Sequence, residues 1–274
     1  MRQSAMQLLP ALAFGVSLQL AVGAHAAPAD INDDDYINPD RPGIAESSYV
    51  VGAGRIQIET GIQQEYRSGT GNHSRTLFVP TLLRFGLDKN LEVRIEGDTY
   101  TWMKESDAVQ GVTRSEGIGP TSIGLKYHFV DAIGAQRPSV GAIVRFFPRS
   151  GTGSFRTAHA TGDFRIAADW DLSPQWSLNP NLGVGIYEDD AQRSYTARLA
   201  AVTLSYNPNR NLNLFVDTGI EYPEMKHGRT AATIDIGAAY VIGRDVQLDF
   251  SVGSRAAGTT PPRLFLSAGI SRRL

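Results

Sequence analysis

Fourteen charged residues at alternating positions of extended segments are the side chains of this sequence that could act on a solute. Charges of both signs that project into an enclosed polar space select solutes by sign and orientation. Nine of them are acidic and five are basic, which favours cations. The same charges could instead pair with one another and fill that space. The candidates for lining it are Glu59, Arg84, Glu92, Arg94, Glu96, Asp98, Lys126, Arg145, Asp163, Arg165, Asp169, Asp217, Asp235 and Asp249.

A second candidate pair, Asp40 and Arg41, lies in the turn-forming sequence Asp-Arg-Pro-Gly ahead of these segments. The acidic run from Asp33 to Asp35 before it is typical of a disordered stretch. We expect the part around Arg41 to fold against the acids of the polar space as a partial plug. A solvated linker that contains an ordinary turn is the alternative.

The sequence contains few residues in arrangements that could form a catalytic or metal-binding site. Cysteine is absent, which removes thiolate ligands and cysteine nucleophiles. A lipid-modifying enzyme needs a serine with a neighbouring histidine and carboxylate or carboxamide. His73, His159 and His227 fall in segments between the extended ones, and His128 falls near the end of one. We therefore expect no enzyme activity, no cofactor and no metal, with a lipid-modifying enzyme as a minor alternative.

Apolar and polar residues alternate from Arg55 onward, with the period of a β-strand. The segments run to about 10–14 residues, whereas strands of soluble domains are near 5–6 and a tilted membrane strand needs about 9–11. We predict an all-β, transmembrane, up-and-down antiparallel β-barrel of about 12 strands, with ten or fourteen as alternatives. The predicted strands lie near residues 55–67, 75–86, 90–103, 118–130, 138–148, 160–172, 176–187, 195–206, 211–222, 230–242, 245–254 and 263–274.

The links between these segments alternate between short and long, as expected when one rim of a barrel faces the periplasm and the other the outside. The long links include residues 104–116 and 149–162. They bind an external partner if the protein is an adhesin, and the alternative is that they fold inward and narrow a pore. Aromatic residues near both ends predict interfacial girdles. Trp102 occupies one of the alternating positions that otherwise carry polar residues in its strand, so it faces inward or follows a bulge. The girdle candidates are Tyr127, Phe129, Trp170, Trp176, Tyr206 and Tyr240 at the short-link rim and Phe146, Tyr187 and Tyr222 at the other.

The N-terminus has the features of an export signal. Arg2 precedes an apolar stretch from Leu8 to Gly23, and Ala24-His25-Ala26 follows as a small-x-small cleavage pattern. A retained membrane anchor is the alternative. We predict a cleaved signal peptide at 1–26, a periplasmic N-terminal segment or partial plug at 27–54, and an outer-membrane barrel at 55–274.

Charge and hydropathy exclude two further classes of protein. The formal net charge of −2 argues against a nucleic-acid binder, which concentrates lysine and arginine to displace phosphate counterions. Beyond the first segment, no stretch approaches the roughly 18–20 apolar residues of a membrane helix.

Several motifs of the chain resemble a family of bacterial outer-membrane transporters of the phenol-degradation meta-pathway type. They are Asp40-Arg41-Pro42-Gly43, the stretch from Gly54 to Gly61, Leu83 to Leu87, Gly119 to Tyr127, Asn181-Leu182-Gly183, Ile234 to Gly237, Val246 to Asp249 and Gly269 to Arg273. The resemblance covers the chain from about residue 40 to the end. It implies an outer-membrane barrel that passes small, often aromatic, compounds, and it brings no catalytic residues.

Together these features predict a monomeric outer-membrane channel of a Gram-negative cell that passes small hydrophobic or aromatic solutes by passive diffusion. Its expected partners are outer-membrane lipid, the small-molecule solute and the barrel-assembly machinery, and no nucleic acid. A structural or adhesin-like barrel with a filled lumen is the main alternative.

Overall fold

The computed structural model describes residues 35–69, 71–109 and 111–274. The predicted signal peptide at 1–26 lies outside the described residues. Thirteen strands occupy most of the described chain, and the other regular element is a short 3-10 turn at Gly153–Phe155. The strands are β1 (Ile56–Ser68), β2 (Asn72–Gly86), β3 (Leu91–Asp107), β4 (Gly111–Gly117), β5 (Thr121–Val130), β6 (Ser139–Phe147), β7 (Thr161–Asp171), β8 (Trp176–Glu188), β9 (Ser194–Asn209), β10 (Leu212–Tyr222), β11 (Ala231–Ile242), β12 (Val246–Ala257) and β13 (Leu264–Arg273).

Antiparallel pairing between neighbours in sequence closes these strands into a barrel. β1 pairs with both β2 and β13, and β2 pairs with β3, so twelve of the strands form a closed ring. Closure satisfies every backbone group between strands, which is what a sheet needs in a lipid environment. The prediction of an all-β antiparallel barrel is confirmed.

β4 is an additional strand beyond the twelve that the sequence predicts. It pairs with the outer half of β3, Thr101–Asp107, while β5 pairs with the inner half, Leu91–Gly97. The barrel therefore has twelve strand positions and a β3–β4 hairpin that extends one of them. The prediction of a loop at residues 104–116 is wrong. Both faces of this hairpin are polar because it projects beyond the apolar belt, so the alternation that marks the other strands is missing.

Apolar side chains cover the outer face of the barrel and polar ones its inner face. On β5, Ile123, Leu125 and Tyr127 are exposed on the outside, whereas Ser122 and Lys126 are buried inside. Large exposed apolar residues recur in this phase around the sheet, which is the pattern of strands in contact with hydrocarbon. We refer to the rim with the turns at 87–90, 173–175 and 243–245 as the short-loop rim and to the opposite one as the long-loop rim.

Among the described residues, no helix has the length and apolar character needed to cross a membrane.

Two aromatic residues show how local geometry decides which face a side chain takes. The β2–β3 register slips between Phe78/Thr101 and Pro80/Asp98, so β3 carries one extra residue there. This bulge places Trp102 on the outside, where its ring lies 4.6 Å from that of Tyr100. The girdle position predicted for Tyr187 is wrong, because its hydroxyl points inward and donates to Asp163 at 2.8 Å.

Residues 35–54 lie inside the barrel and form a hairpin-like loop that enters and leaves at the short-loop rim. The backbone N–H of Ile37 donates to the carbonyl of Arg244 at 2.7 Å on the way in, and that of Gly54 donates to Gly86 at 2.9 Å on the way out. Between these ends, Ala45 to Ser48 are all buried. We call residues 35–54 the inserted segment.

Candidate functional site: a charged lumen around the inserted segment

The fourteen predicted lining residues all lie on the inner face of the barrel. Glu59, Arg84, Glu92 and Lys126 are fully buried, and Arg94 is 1% exposed. Glu96 and Arg165 keep part of their side chains in contact with the lumen, at 32% and 19% exposure. Whether they line an open passage depends on the inserted segment, because most of them contact it.

Asp40 is held by three cations of the barrel wall. Its carboxylate accepts from Lys126 Nζ at 2.8 Å and from Arg94 Nη1 at 2.8 Å, and it lies 3.6 Å from Arg84 Nη1. Burial raises the pKa of this carboxyl, but the positive charges of Arg84, Lys126 and Arg94 outweigh burial and hold the pKa far below its usual range. Asp40 is therefore charged at all physiological pH values, and it fixes the inserted segment against β2, β3 and β5.

Glu46 makes a second set of ion pairs on the same side of the barrel. Its carboxylate lies 2.8 Å from Arg94 Nη1, 3.1 Å from Arg145 Nη1 and 3.4 Å from Arg165 Nη1. Burial raises the pKa of Glu46, yet Arg94, Arg145 and Arg165 lower it to about 2. The three arginines come from β3, β6 and β7, so this one carboxylate joins three strands to the inserted segment.

The residues around these two acids complete a continuous network along one wall. Arg84 donates to Glu92 Oε1 at 2.9 Å and to Glu59 Oε1 at 3.0 Å. Glu59 also accepts the backbone N–H groups of Asp40 and Arg41, at 2.9 and 3.0 Å. The inserted segment thus supplies donors for the wall acids as well as acids for the wall cations.

Acids elsewhere on the wall accept backbone donors from the inserted segment. Asp217 accepts from the N–H groups of Ile44 and Ala45, and Asp169 accepts from that of Ser48 at 2.7 Å. A carboxylate that accepts backbone N–H groups is a favourable charge-assisted pair. These hydrogen bonds hold the second half of the inserted segment in place, and they do so without a cation beside each acid.

Arg41 extends away from the Asp40 wall to β12 and β13, the strands that follow β1 around the barrel. Its Nη2 donates to Asp249 Oδ1 at 3.2 Å and to Ser267 Oγ at 3.0 Å. A Cβ atom at Gly269 would lie 2.5 Å from the Arg41 guanidinium, and one at Gly61 would lie 2.7 Å from it. Glycine at these two positions leaves the space through which the guanidinium passes.

The remaining predicted residues stand further from the inserted segment. Asp163 accepts from Arg145 Nη2 at 2.7 Å, Asp98 lines a cavity on the long-loop side, and Asp235 faces Asp217 in the β10–β11 register. The structure brings one acid-and-base wall together around Asp40 and Glu46 and leaves Asp98 and Asp235 apart from it.

Two cavities lie on the long-loop side of the inserted segment and one on the short-loop side. The long-loop cavities have volumes of about 560 and 390 Å³, and Ile44 and Arg165 line both. The short-loop cavity of about 340 Å³ is lined by Tyr36, Arg41 and Gln247, among others. The stretch from Asp40 to Glu46 separates them at mid-height.

Comparison with known proteins gives the family of this chain. The family model described as "Putative MetA-pathway of phenol degradation" matches residues 39–274. The chain belongs to this family. The resemblance expected from the sequence motifs is confirmed, and the matched range includes the inserted segment from Pro39 onward. No curated protein matches the chain.

Three solved structures share the barrel fold. An outer membrane channel from Pseudomonas putida F1 has 13% identity and a TM-score of 0.63, covering 89% of this chain and 99% of that one. The transport unit of the autotransporter AIDA-I from Escherichia coli has 13% identity and a TM-score of 0.52, covering 80% and 89%. The beta domain of the Bordetella autotransporter BrkA has 13% identity and a TM-score of 0.50, covering 81% and 100%. The closed barrel and its apolar outer face indicate an outer-membrane protein.

Sequence reasoning found Asp40 and Arg41 but missed Glu46, Ser48 and Tyr49. Ser48 Oγ lies 2.7 Å from Ser139 Oγ, and the Tyr49 ring stacks on His128 with a centroid distance of 5.1 Å. One signal was available for Glu46, because it is the only charged residue between Arg41 and Arg55. A single charge in an otherwise uncharged stretch next to a barrel has few partners other than the barrel wall.

Proposed function

We propose that this protein is a passive outer-membrane channel for small hydrophobic or aromatic solutes, and that the inserted segment forms its constriction. The observation that carries the proposal is the position of Asp40 to Glu46 between cavities that open toward opposite rims. A solute that crosses the barrel has to pass this stretch. The family's description as a phenol-degradation group supports aromatic compounds as the solute class.

The lining of the larger cavity fits a compound with one ring and a polar or charged group. Leu82, Pro80 and Phe147 offer apolar surface, while Arg145 and Glu96 are among the side chains of both charge signs that line it. Its volume of about 560 Å³ lies within the range typical of small-molecule sites, about 300–1,000 Å³. A compound with one ring and a polar group therefore suits this cavity better than an uncharged hydrocarbon chain.

The competing hypothesis is a structural barrel whose lumen is permanently filled. The ion pairs of Asp40 and Glu46 with the barrel wall favour this hypothesis. The distinction rests on whether the inserted segment shifts enough to admit a solute. The cavities on its two sides leave room for such a shift, because the segment is not enclosed by packed side chains along its whole length.

The proposal includes export by a cleaved signal peptide, assembly by the barrel-assembly machinery and function as a monomer in outer-membrane lipid. It requires neither catalysis nor a cofactor. Passage follows the concentration gradient of the solute, and the wall charges set which solutes enter.

Swelling of liposomes that contain the purified chain from residue 27 onward tests the proposal. We expect benzoate to enter measurably faster than into protein-free liposomes, and the disaccharide sucrose to enter much more slowly than benzoate. Heat-unfolded protein is the control for leakage. Benzoate entry no faster than in the control would refute the channel and favour a structural barrel, while release of fatty acids from the lipid would favour an enzyme.

A further inference from the structure

A row of cations stands on the outer face of the barrel at its long-loop rim, and the proposed transport function does not use it. Arg75 on β2 is paired in register with Lys104 on β3, and Lys104 is paired with Arg114 on β4. All three side chains are exposed. Directly paired residues of neighbouring strands are about 5 Å apart, so the three stems span roughly 10 Å. Arg263, next to the start of β13, extends the row, which we call the outer cation row.

The outer cation row lies immediately beyond the apolar belt. Arg75 is in register with Tyr66, and Tyr66 is in register with Leu264 on the other side. The guanidinium of Arg75 lies 5.6 Å from the centre of the Tyr66 ring. Trp102 lies two residues from Lys104 on the same face and is exposed. Aromatic rings of this kind mark the level of the lipid headgroups, so the cations lie at or just beyond that level.

The charges of the row are not neutralised by the protein. In the part of the chain that the structure describes, no carboxylate lies within 4.0 Å of Arg75, Lys104, Arg114 or Arg263. Glu116 is the acid that shares their face, and it lies beside Trp102, below the row. Arg75 Nε donates to Gln64 and Arg263 Nη1 donates to Ser68, each at 3.0 Å, so neutral partners hold two stems in place.

Arg75, Lys104 and Arg263 border a groove at the long-loop rim that is large enough for a headgroup, and Arg114 lies beside Lys104 next to it. Its volume is about 570 Å³, and its lining combines Arg75, Lys104, His73 and Arg263 with Tyr66 and Leu264. Arginine binds phosphate oxygens through two parallel N–H groups, and lysine adds a point charge. Apolar residues on the lower side of the groove continue into the surface that contacts acyl chains.

We propose that the outer cation row binds the phosphate groups of a phosphorylated glycolipid, lipid A, in the outer leaflet of the outer membrane. The long loops of such barrels face outside, which places the row at the height of that leaflet's headgroups. Arg75, Lys104 and Arg114 pair with phosphate oxygens, while Tyr66, Trp102 and Leu264 contact the sugar-proximal acyl chains. The site holds a fixed lipid beside the β3–β4 hairpin, and so gives this extra strand a role in anchoring.

Native mass spectrometry of the purified full-length barrel, titrated with bis-phosphorylated lipid A, tests the proposal. The variant Arg75→Gln/Lys104→Gln/Arg114→Gln is expected to bind lipid A at least about tenfold more weakly than the unaltered protein, since each cation near a charged headgroup contributes to affinity. Lipid A from which both phosphates have been removed is expected to bind the unaltered protein as weakly as the phosphorylated form binds the variant.

The matched control is Arg149→Gln/Arg156→Gln/Arg229→Gln, which removes the same charge from exposed loop residues of the same rim. It is expected to bind phosphorylated lipid A like the unaltered protein. Equal binding by all three proteins, or equal binding of both lipids by the unaltered protein, would overturn the proposal. The heat-dependent shift in gel mobility shows that each variant is folded, and benzoate entry into liposomes is a separate measurement that does not depend on this site.

Discussion

Glu46 shows how a single residue can couple a loop to a barrel wall. Its carboxylate faces the guanidinium groups of Arg94, Arg145 and Arg165 and is 7% exposed as a residue. Removing Glu46 takes one negative charge from this cluster, in which Arg94 keeps Asp40 and both Arg145 and Arg165 keep Asp163 as partners.

We predict that Glu46→Gln weakens the hold on the inserted segment and shifts the channel toward anions. Single-channel recordings in a salt gradient should show longer open times and a reversal potential displaced toward that of the anion. Glu65→Gln is the matched control, since Glu65 lies on the same inner face but pairs with Arg67 near the long-loop rim. An unchanged reversal potential in Glu46→Gln would remove Glu46 from the constriction.

At the scale of elements, the sequence predicts the positions of the strands, but it predicts the inserted segment only in part. Every predicted strand except the one at β3 begins and ends within three residues of its predicted position, because alternation ends where the chain leaves the apolar belt. The β3–β4 hairpin lacks that alternation, so the sequence does not predict it. The path of the inserted segment depends on contacts between residues far apart in sequence, such as Arg41 with Asp249, and no local pattern encodes them.

The absence of cysteine makes the position of the inserted segment directly measurable by crosslinking. A Cβ atom at Gly43 would lie 3.7 Å from Thr203 Oγ1 on β9. A cysteine sulfur at position 203 would take the place of this oxygen, so the two sulfurs of a cysteine pair lie within reach of each other. We predict that Gly43→Cys/Thr203→Cys forms an intramolecular disulfide on oxidation in membranes and that conductance falls when it forms and recovers on reduction.

The control pair for this crosslink is Gly43→Cys/Ser122→Cys. Ser122 is a buried inner-face residue on β5, four strands from β9 in the barrel. It should give no disulfide under the same conditions. Efficient crosslinking of both pairs would mean that the inserted segment has no fixed path. Failure of the Thr203 pair in folded protein would contradict the placement of Gly43.

At the scale of the whole molecule, the outer face of the sheet is suited to lipid and the inner face to water. The outer face excludes water with a belt of exposed apolar side chains, and the inner face holds charges that the inserted segment partly neutralises. Closure of the barrel keeps these environments apart. In the proposed channel, conduction depends on how far the stretch from Asp40 to Glu46 narrows the lumen between its cavities.

Deletion of residues 27–50 tests this account most directly. Single-channel conductance in planar bilayers is measured for the chain from residue 27 onward and for the same chain without residues 27–50. The heat-dependent shift in gel mobility first shows that both proteins are folded. We predict a conductance several times larger for the shortened chain, with fewer closures. Equal conductance and equal open probability in the two proteins would contradict a constriction formed by the inserted segment.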